Sequence, residues 1–206
     1  RFDQLFEPLK QKNVTIKEAN WIDKIIYDRP RRKNFYLPKL FQRILFDACI
    51  YEKEATQLFY KHFDYLAWAK NRNTYIASCV CFYPQTNLPL FRIFRPCPQI
   101  QQQIDVCSQS FTKSTIGIHI RRTDNIGSIK HSPTSLFIER MKEEIKKDEK
   151  CLFYLATDSE EEKEQLKTIF GKRLITSSNA ASRNTISGMK DALIELYILS
   201  RTNKIL

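Results

Sequence analysis

Long apolar runs are missing from this sequence. Nowhere among its 206 residues is there anything near the roughly 20 consecutive apolar positions that a membrane-spanning helix requires. The N-terminus also lacks the charged, apolar and small-residue succession of a signal peptide. The chain opens at Arg1-Phe2-Asp3 without a Met, however, so an upstream segment is expected and that absence carries little weight. The six cysteines include no Cys-x-x-Cys pair. Cys79-Val80-Cys81 suits neighbouring positions on one strand face better than a zinc knuckle, and Cys151 reads as a small core residue. Such usage points to a reducing compartment, and a cytoplasmic location is the expectation. There is no internal repeat, low-complexity tract, Arg-Gly repeat, Lys block or recognised nucleic-acid module.

What the chain does have is a globular balance, 42% hydrophobic and 28% charged, with a formal net charge of +11 from 34 Lys plus Arg against 23 acids. This excess attracts anionic partners of several kinds without choosing among nucleic acid, lipid headgroups and sugar nucleotides. The densest basic cluster, Arg29-Pro30-Arg31-Arg32-Lys33, reads as a solvated turn before it reads as a binding patch. Asn13-Val14-Thr15 matches a glycosylation sequon, a pattern frequent by chance.

The chain divides in character near residue 113. The first part, 1–113, is rich in aromatics and expected to be mainly helical. Leu40, Ile44, Leu45, Ala48 and Cys49 recur at helical spacing, as do Ala55, Leu58, Phe59 and Phe63. Tyr75–Tyr83 is apolar and β-prone, stopped by Pro84. Pro84, Pro89, Pro96 and Pro98 then predict an irregular connection, followed by a helix through Ile100, Ile104 and Cys107.

The second part, 114–206, alternates strand and helix. Ile116–Ile120 alternates as a strand. Ser132 can cap a helix with Pro133 at its first position, its buried side marked by Phe137, Ile138, Met141 and Ile145. Leu152–Ala156 reads as a strand buried on both faces. Ser159 and Glu162 make a capping box for a helix through Leu166, Ile169 and Phe170, closed by Gly171. A short strand at Arg173–Thr176, a helix through Met189, Leu193, Leu196 and Leu199, and a strand from Lys204 complete the pattern. This is an α/β order with a parallel sheet, whose ligands sit beyond the carboxyl ends of the strands.

At one such end, period-two alternation puts Ile116, Ile118 and Ile120 on one face and Gly117, His119 and Arg121 on the other, with Arg122 opposite to Arg121. Arg121 is placed to grip an oxyanion with its planar fork, and Asp124 is near enough to orient one of the arginines. On the residues alone, an ordinary salt-bridge cluster at a strand end is an equal reading.

Ile116–Asp124 resembles the HxRRxD motif of GDP-fucose-dependent fucosyltransferases, above all the core α1,6-enzymes of N-glycans and the nodulation enzymes. Phe153–Asp158 resembles that family's next motif, and Arg183-Asn184-Thr185 through Ser200 its third, so the resemblance covers about residues 115–206. It implies a GT-B architecture whose second half is the Rossmann-like donor domain, the first half serving the acceptor side. It also implies inverting transfer and no metal. By match, His119 lies against the guanosine, Arg121 holds the β-phosphate and stabilises the leaving GDP, and Asp124 braces the loop. Arg122 and Asp158 join the donor site, Asp158 with support of the next helix start as its alternative role. Glu195 stands where the family has an aspartate contacting guanine, and Asp191, one turn earlier, could substitute. A helix-face acid paired with Lys190 or Arg201 is the other reading.

Two departures qualify the match. Asn125 replaces the family's lysine after the motif, and Ile129-Lys130-His131 stands where the family has an acidic base. An inverting transfer needs a proton acceptor, and His131 and Asp124 are the candidates; for His131 a solvent-exposed place before Ser132 is the alternative. The family's glycine-rich N-terminal segment and its serine-containing phosphate loop have no counterpart here, so the domains are read as trimmed at both ends. The expected partners are a GDP-sugar donor and an oligo- or polysaccharide acceptor, with no nucleic acid and association at a membrane surface left open. The rival readings are a non-catalytic nucleotide- or glycan-binding protein of the same fold and a basic nucleic-acid-binding protein.

Overall fold

Asn20 and Asp23 close a reciprocal cap on the first helix, α1 (Trp21–Tyr27). The Asn20 amide oxygen accepts the Asp23 N–H at 2.9 Å and the Asp23 carboxylate accepts the Asn20 N–H at 3.1 Å. The computed structural model describes residues 1–10, 12–79, 93–123, 126–177 and 185–206. The chain divides into two compact units, Lys10–Ile93 and Arg1–Leu9 with Phe94–Leu206.

In the unit Lys10–Ile93, α1 is followed by α2 (Leu37–Leu45), β1 (Ala48–Tyr51), α3 (Glu52–Tyr60), α4 (Tyr65–Ala69) and β2 (Thr74–Ala77). β1 and β2 pair in parallel with Ala48 opposite Thr74. Ile50, Ala55 and Tyr65 form a small core. The helical spacing read through Leu40 to Cys49 is corrected here. The helix stops at Leu45, Phe46 is extended, and Ala48 and Cys49 belong to β1. Over five residues an apolar run fits either period, and pairing with β2 decided it. Phe63 likewise lies beyond α3, which ends before His62 at φ 50°. Of the expected strand Tyr75–Tyr83, only Tyr75–Ala77 belong to β2; Ser78 and Cys79 lie past its end, so Cys79 is not on a strand face, and the part from residue 80, with Cys81, lies outside the described residues.

The second unit holds α5 (Pro98–Ser108), β3 (Thr115–Ile120), α6 (Ile126–His131), α7 (Thr134–Lys147), β4 (Leu152–Thr157), α8 (Glu160–Phe170), β5 (Leu174–Thr176), α9 (Ile186–Leu199) and β6 (Lys204–Ile205). The four strands form a parallel sheet in the order β5-β4-β3-β6. One face, carrying Ile116, Ile118, Ile120, Phe153 and Leu155, is covered by α7 and α8 through Met141, Leu166 and Phe170. The other face, with Tyr154 and Ala156, is covered by α5 and α9 through Ile100, Ile104, Ile198 and Leu199. Helices on both faces explain why β4 is an unbroken apolar run. The N-terminal strip joins this unit by a bridge between Phe6 and Pro96 and by Cys97 N–H donating to the Leu5 carbonyl at 2.9 Å.

Gly117 is required by a close approach. A Cβ there would stand 2.8 Å from Thr202 Oγ1 and 2.9 Å from Leu199 Cδ2. Only a bare backbone lets the end of α9 and the turn into β6 lie flat on β3.

Two capping expectations are corrected. α7 begins at Thr134 with Pro133 before it, so neither Ser132 as cap nor Pro133 as first helical residue holds. The cap of α8 is one-sided: Ser159 Oγ accepts the Glu162 N–H at 3.3 Å, but the Glu162 carboxylate is committed elsewhere.

Candidate functional site

The order of the sheet locates a crevice. The chain runs from β3 to β4 to β5 in one direction and then returns through α9 to place β6 on the far side of β3. Ligands of such sheets bind outside the carboxyl ends of the strands where the order reverses, here between β3 and β6. Gathered at that edge are His119 and Ile120 at the end of β3 with residues 121–123 after it, Asp158 after β4 and Ser177 after β5, with Thr185 capping the start of α9.

His119 is exposed as the penultimate residue of β3, on the face of Gly117, and its backbone N–H donates to the Leu206 carbonyl at 3.3 Å. Arg121 follows the strand end, half-buried. Arg122 faces the opposite side, towards α7 and α8, and is heavily engaged. Its Nε donates to Glu162 Oε1 at 2.8 Å, and its Nη2 to the Ser132 carbonyl at 3.0 Å and to Thr134 Oγ1 at 3.1 Å. Its guanidinium also lies 6.0 Å from the centre of the Phe137 ring. Thr134 Oγ1 in turn donates to Glu162 Oε1 at 2.5 Å. Arg122 thus anchors the loop to two helices, and its contacts are internal to the protein.

Asp158 binds the same loop from the next strand. Oδ1 accepts the Arg122 N–H at 2.7 Å, and Oδ2 accepts the Thr123 hydroxyl at 2.6 Å and the Thr123 N–H at 3.4 Å. Burial alone would raise this carboxyl, but the hydrogen bonds from Thr123 and Arg122 outweigh it and hold Asp158 below the usual carboxylate range.

Behind the crevice, Glu195 stands one turn after Asp191 on α9. Burial pushes its carboxyl up to about 7. The Lys163 charge opposes the rise, Asp191 and Asp158 add to it, and a hydrogen bond involving Ser177 lowers it. Lys163 is only 1% exposed and reaches Glu160 at 2.7 Å. Tyr154, also buried, has a hydroxyl without a hydrogen-bond partner among the described residues. Burial, then the charge of Glu195, shift that phenol upward. Arg201 reaches Asp105 at 2.6 Å and Ser108 at 2.6 Å, tying α9 to α5, so it is not the partner of Glu195.

The structure therefore brings His119, Arg121, Asp158, Asp191 and Glu195 to the carboxyl half of one sheet, with Arg122 turned inward beneath them. His131 is exposed at the end of α6, next to the Ser132 carbonyl that Arg122 holds. Asp124, Asn125, Arg183 and Asn184 lie outside the described residues. Sequence reasoning missed Thr123, Lys163 and Ser177. For Lys163 there was a signal: with Leu166 and Phe170 it falls at i, i+3 and i+7, a lysine on the apolar stripe of an amphipathic helix. Among the described residues no group of three or more His, Cys, Asp or Glu is placed to hold a metal ion. No described helix is long and apolar enough to cross a membrane.

No family model matches the chain, and no curated protein matches it by sequence. Among solved structures, the fucosyltransferase NodZ from Bradyrhizobium superposes with a TM-score of 0.60 at 18% identity, over 99% of this chain and 70% of that one. NodZ alpha-1,6-fucosyltransferase co-crystallized with GDP gives 0.58 and the form soaked with GDP-fucose 0.57, both at 18% identity and the same coverage. At that identity what is shared is the fold: along nearly its whole length this chain is built on the fold of the NodZ fucosyltransferase structures.

Proposed function

We propose that the chain is part of a GT-B glycosyltransferase that transfers fucose, with inversion, from GDP-fucose to a hydroxyl of an oligo- or polysaccharide, without a metal. The observation that carries this reading is the meeting of the HxRRxD strand, Asp158 and the acidic face of α9 at the reversal point of one parallel sheet, in a fold whose solved relatives include complexes with GDP and GDP-fucose.

In this reading His119 lies along the guanosine and Glu195 accepts guanine N–H groups, with Asp191 beside it. Arg121 takes the β-phosphate, where its fork stabilises the charge that develops on departing GDP. Arg122, Asp158 and Thr123 are positioning residues: their mutual bonds set the loop from which Arg121 projects. The acceptor hydroxyl loses its proton to Asp124 or His131.

A second reading, a nucleotide-sugar-binding protein without turnover, is favoured by Ile129-Lys130-His131 standing where the resembled enzymes have an acidic base. Calorimetric titration with GDP, using UDP and GMP as controls, tests the shared premise. GDP should bind clearly tighter than both. Equal or absent binding by the folded chain overturns the donor assignment. Release of free GDP from GDP-fucose in the presence of saccharide acceptors then separates enzyme from binder.

A further inference from the structure

Between Asp28 and Asp47 the sequence holds six cations, Arg29, Arg31, Arg32, Lys33, Lys39 and Arg43, and not one acid. The same stretch turns its apolar side chains outward. Phe35 is 90% exposed, and along α2 Leu37, Leu40 and Ile44 are 47%, 59% and 75% exposed, while Gln42 on the opposite side is fully buried. The Gln42 amide donates to the carbonyls of Ile26 at 2.8 Å and Asp28 at 2.9 Å. The helix is thus inverted: a polar residue holds it to the end of α1, and an apolar stripe at i, i+3 and i+7 faces solvent.

The turn that raises Phe35 is itself built. Phe35 and Tyr36 both occupy the left-handed region, at φ 51° and 56°, unfavourable for bulky residues. Their N–H groups donate to the carbonyls of Arg32 at 3.1 Å and Arg31 at 3.2 Å. Of the cations, Arg31 reaches Asp28 at 2.8 Å, Arg29 reaches Glu52 at 3.5 Å, and Lys39 lies over the Tyr51 ring. Arg32, Lys33 and Arg43 make no ion pair among the described residues.

Charge decides the occupant. A second copy laid on this face would bring the same six cations against these six. A nucleic-acid groove uses cations but has no place for a Leu–Leu–Ile stripe. The boundary between anionic headgroups and acyl chains takes both parts, an apolar face a few ångströms deep and a basic rim above it. We propose that residues 29–46 dock the chain on an anionic membrane surface, with Phe35, Leu37, Leu40 and Ile44 inserted and Arg32, Lys33, Lys39 and Arg43 among the headgroups. This docking is independent of the donor site.

Flotation with phosphatidylcholine vesicles, with and without phosphatidylglycerol, tests it. The chain should float only with the anionic vesicles, and less at high salt. Each cation near an anionic surface is worth about fivefold in partition, so Lys39→Gln with Arg43→Gln should lower partition about 25-fold. Leu40→Asp with Ile44→Asp should abolish it with an unchanged circular dichroism spectrum, since both side chains are exposed. Flotation that survives Leu40→Asp with Ile44→Asp overturns the proposal. So does a failure to float, and sedimentation then names the occupant. A dimer that the same variant dissociates gives the face to a second copy, and a monomer gives it to a segment beyond these residues. None of these results bears on the GDP titration, nor does that titration bear on them.

Discussion

Arg122 and Glu162 form an ion pair of 2.8 Å with side chains only 13% and 11% exposed, and this pair fastens the loop after β3 to the first turn of α8. Of two adjacent arginines, Arg122 is thus committed inside the protein, while Arg121 is half-buried just past the end of β3.

Arg122→Ala leaves the Glu162 carboxylate buried without its cation, which should cost about 3–5 kcal/mol in urea denaturation. Replacing both partners by apolar residues, Arg122→Met with Glu162→Leu, should recover most of that loss. A single-variant loss below about 1 kcal/mol would show that the pair behaves like an exposed one.

Arg121→Ala should lower fucosyl transfer on the order of 10²–10³-fold, as loss of one charge-stabilising donor does elsewhere. Steady-state kinetics with GDP-fucose measure it, and unchanged turnover would remove Arg121 from the site.

Gly117→Ala places a methyl group within 2.9 Å of Thr202 and Leu199. An overpacked contact of this kind costs about 1–3 kcal/mol. Because the clash is against the connection between α9 and β6, hydrogen exchange should rise first at Asn203 and Leu206, whose N–H groups donate to β3 carbonyls at 2.9 Å.

Glu195 gives the chain a pH signature. Burial raises its carboxyl from 4.5 to about 7, so the folded state holds a proton that the unfolded chain has released above pH 4.5. The stabilisation is complete below that value and declines as pH rises towards 7. Glu195→Gln should flatten this slope in thermal melts between pH 4.5 and 7. Guanine N–H donors favour the carboxylate, so GDP binding should expel a proton below pH 7. Titration in two buffers of different ionisation enthalpy detects it, and identical heats would detach Glu195 from the guanine.

Much of this was legible in advance. Alternation along Ile116–Ile120 separates the face of His119 from the apolar face, and the unbroken run at β4 matches a strand covered on both sides by α5, α7, α8 and α9. The first unit was less legible because its strands have four residues each, too few for period two to stand out against a neighbouring helix. The short helix α6 went unread, and the start of α7 was misjudged for a related reason. Ser132 looked like a cap, but its carbonyl is held by Arg122 and the helix waits until Thr134.

By itself the sequence determined the order of strands and helices from β3 onward apart from α6, the face to which each residue of β3 belongs, and the excess of cations at 29–46, because these depend on neighbours within a few residues. Tertiary structure alone decided that β6 lies beside β3, that Glu162 serves Arg122 from 40 residues away, and that Lys163 and Glu195 share a buried environment. It also decided that α2 turns Leu40 and Ile44 to the solvent. Those outcomes follow from long-range contacts, where burial and charge are set by what packs alongside and local spacing carries no record of it.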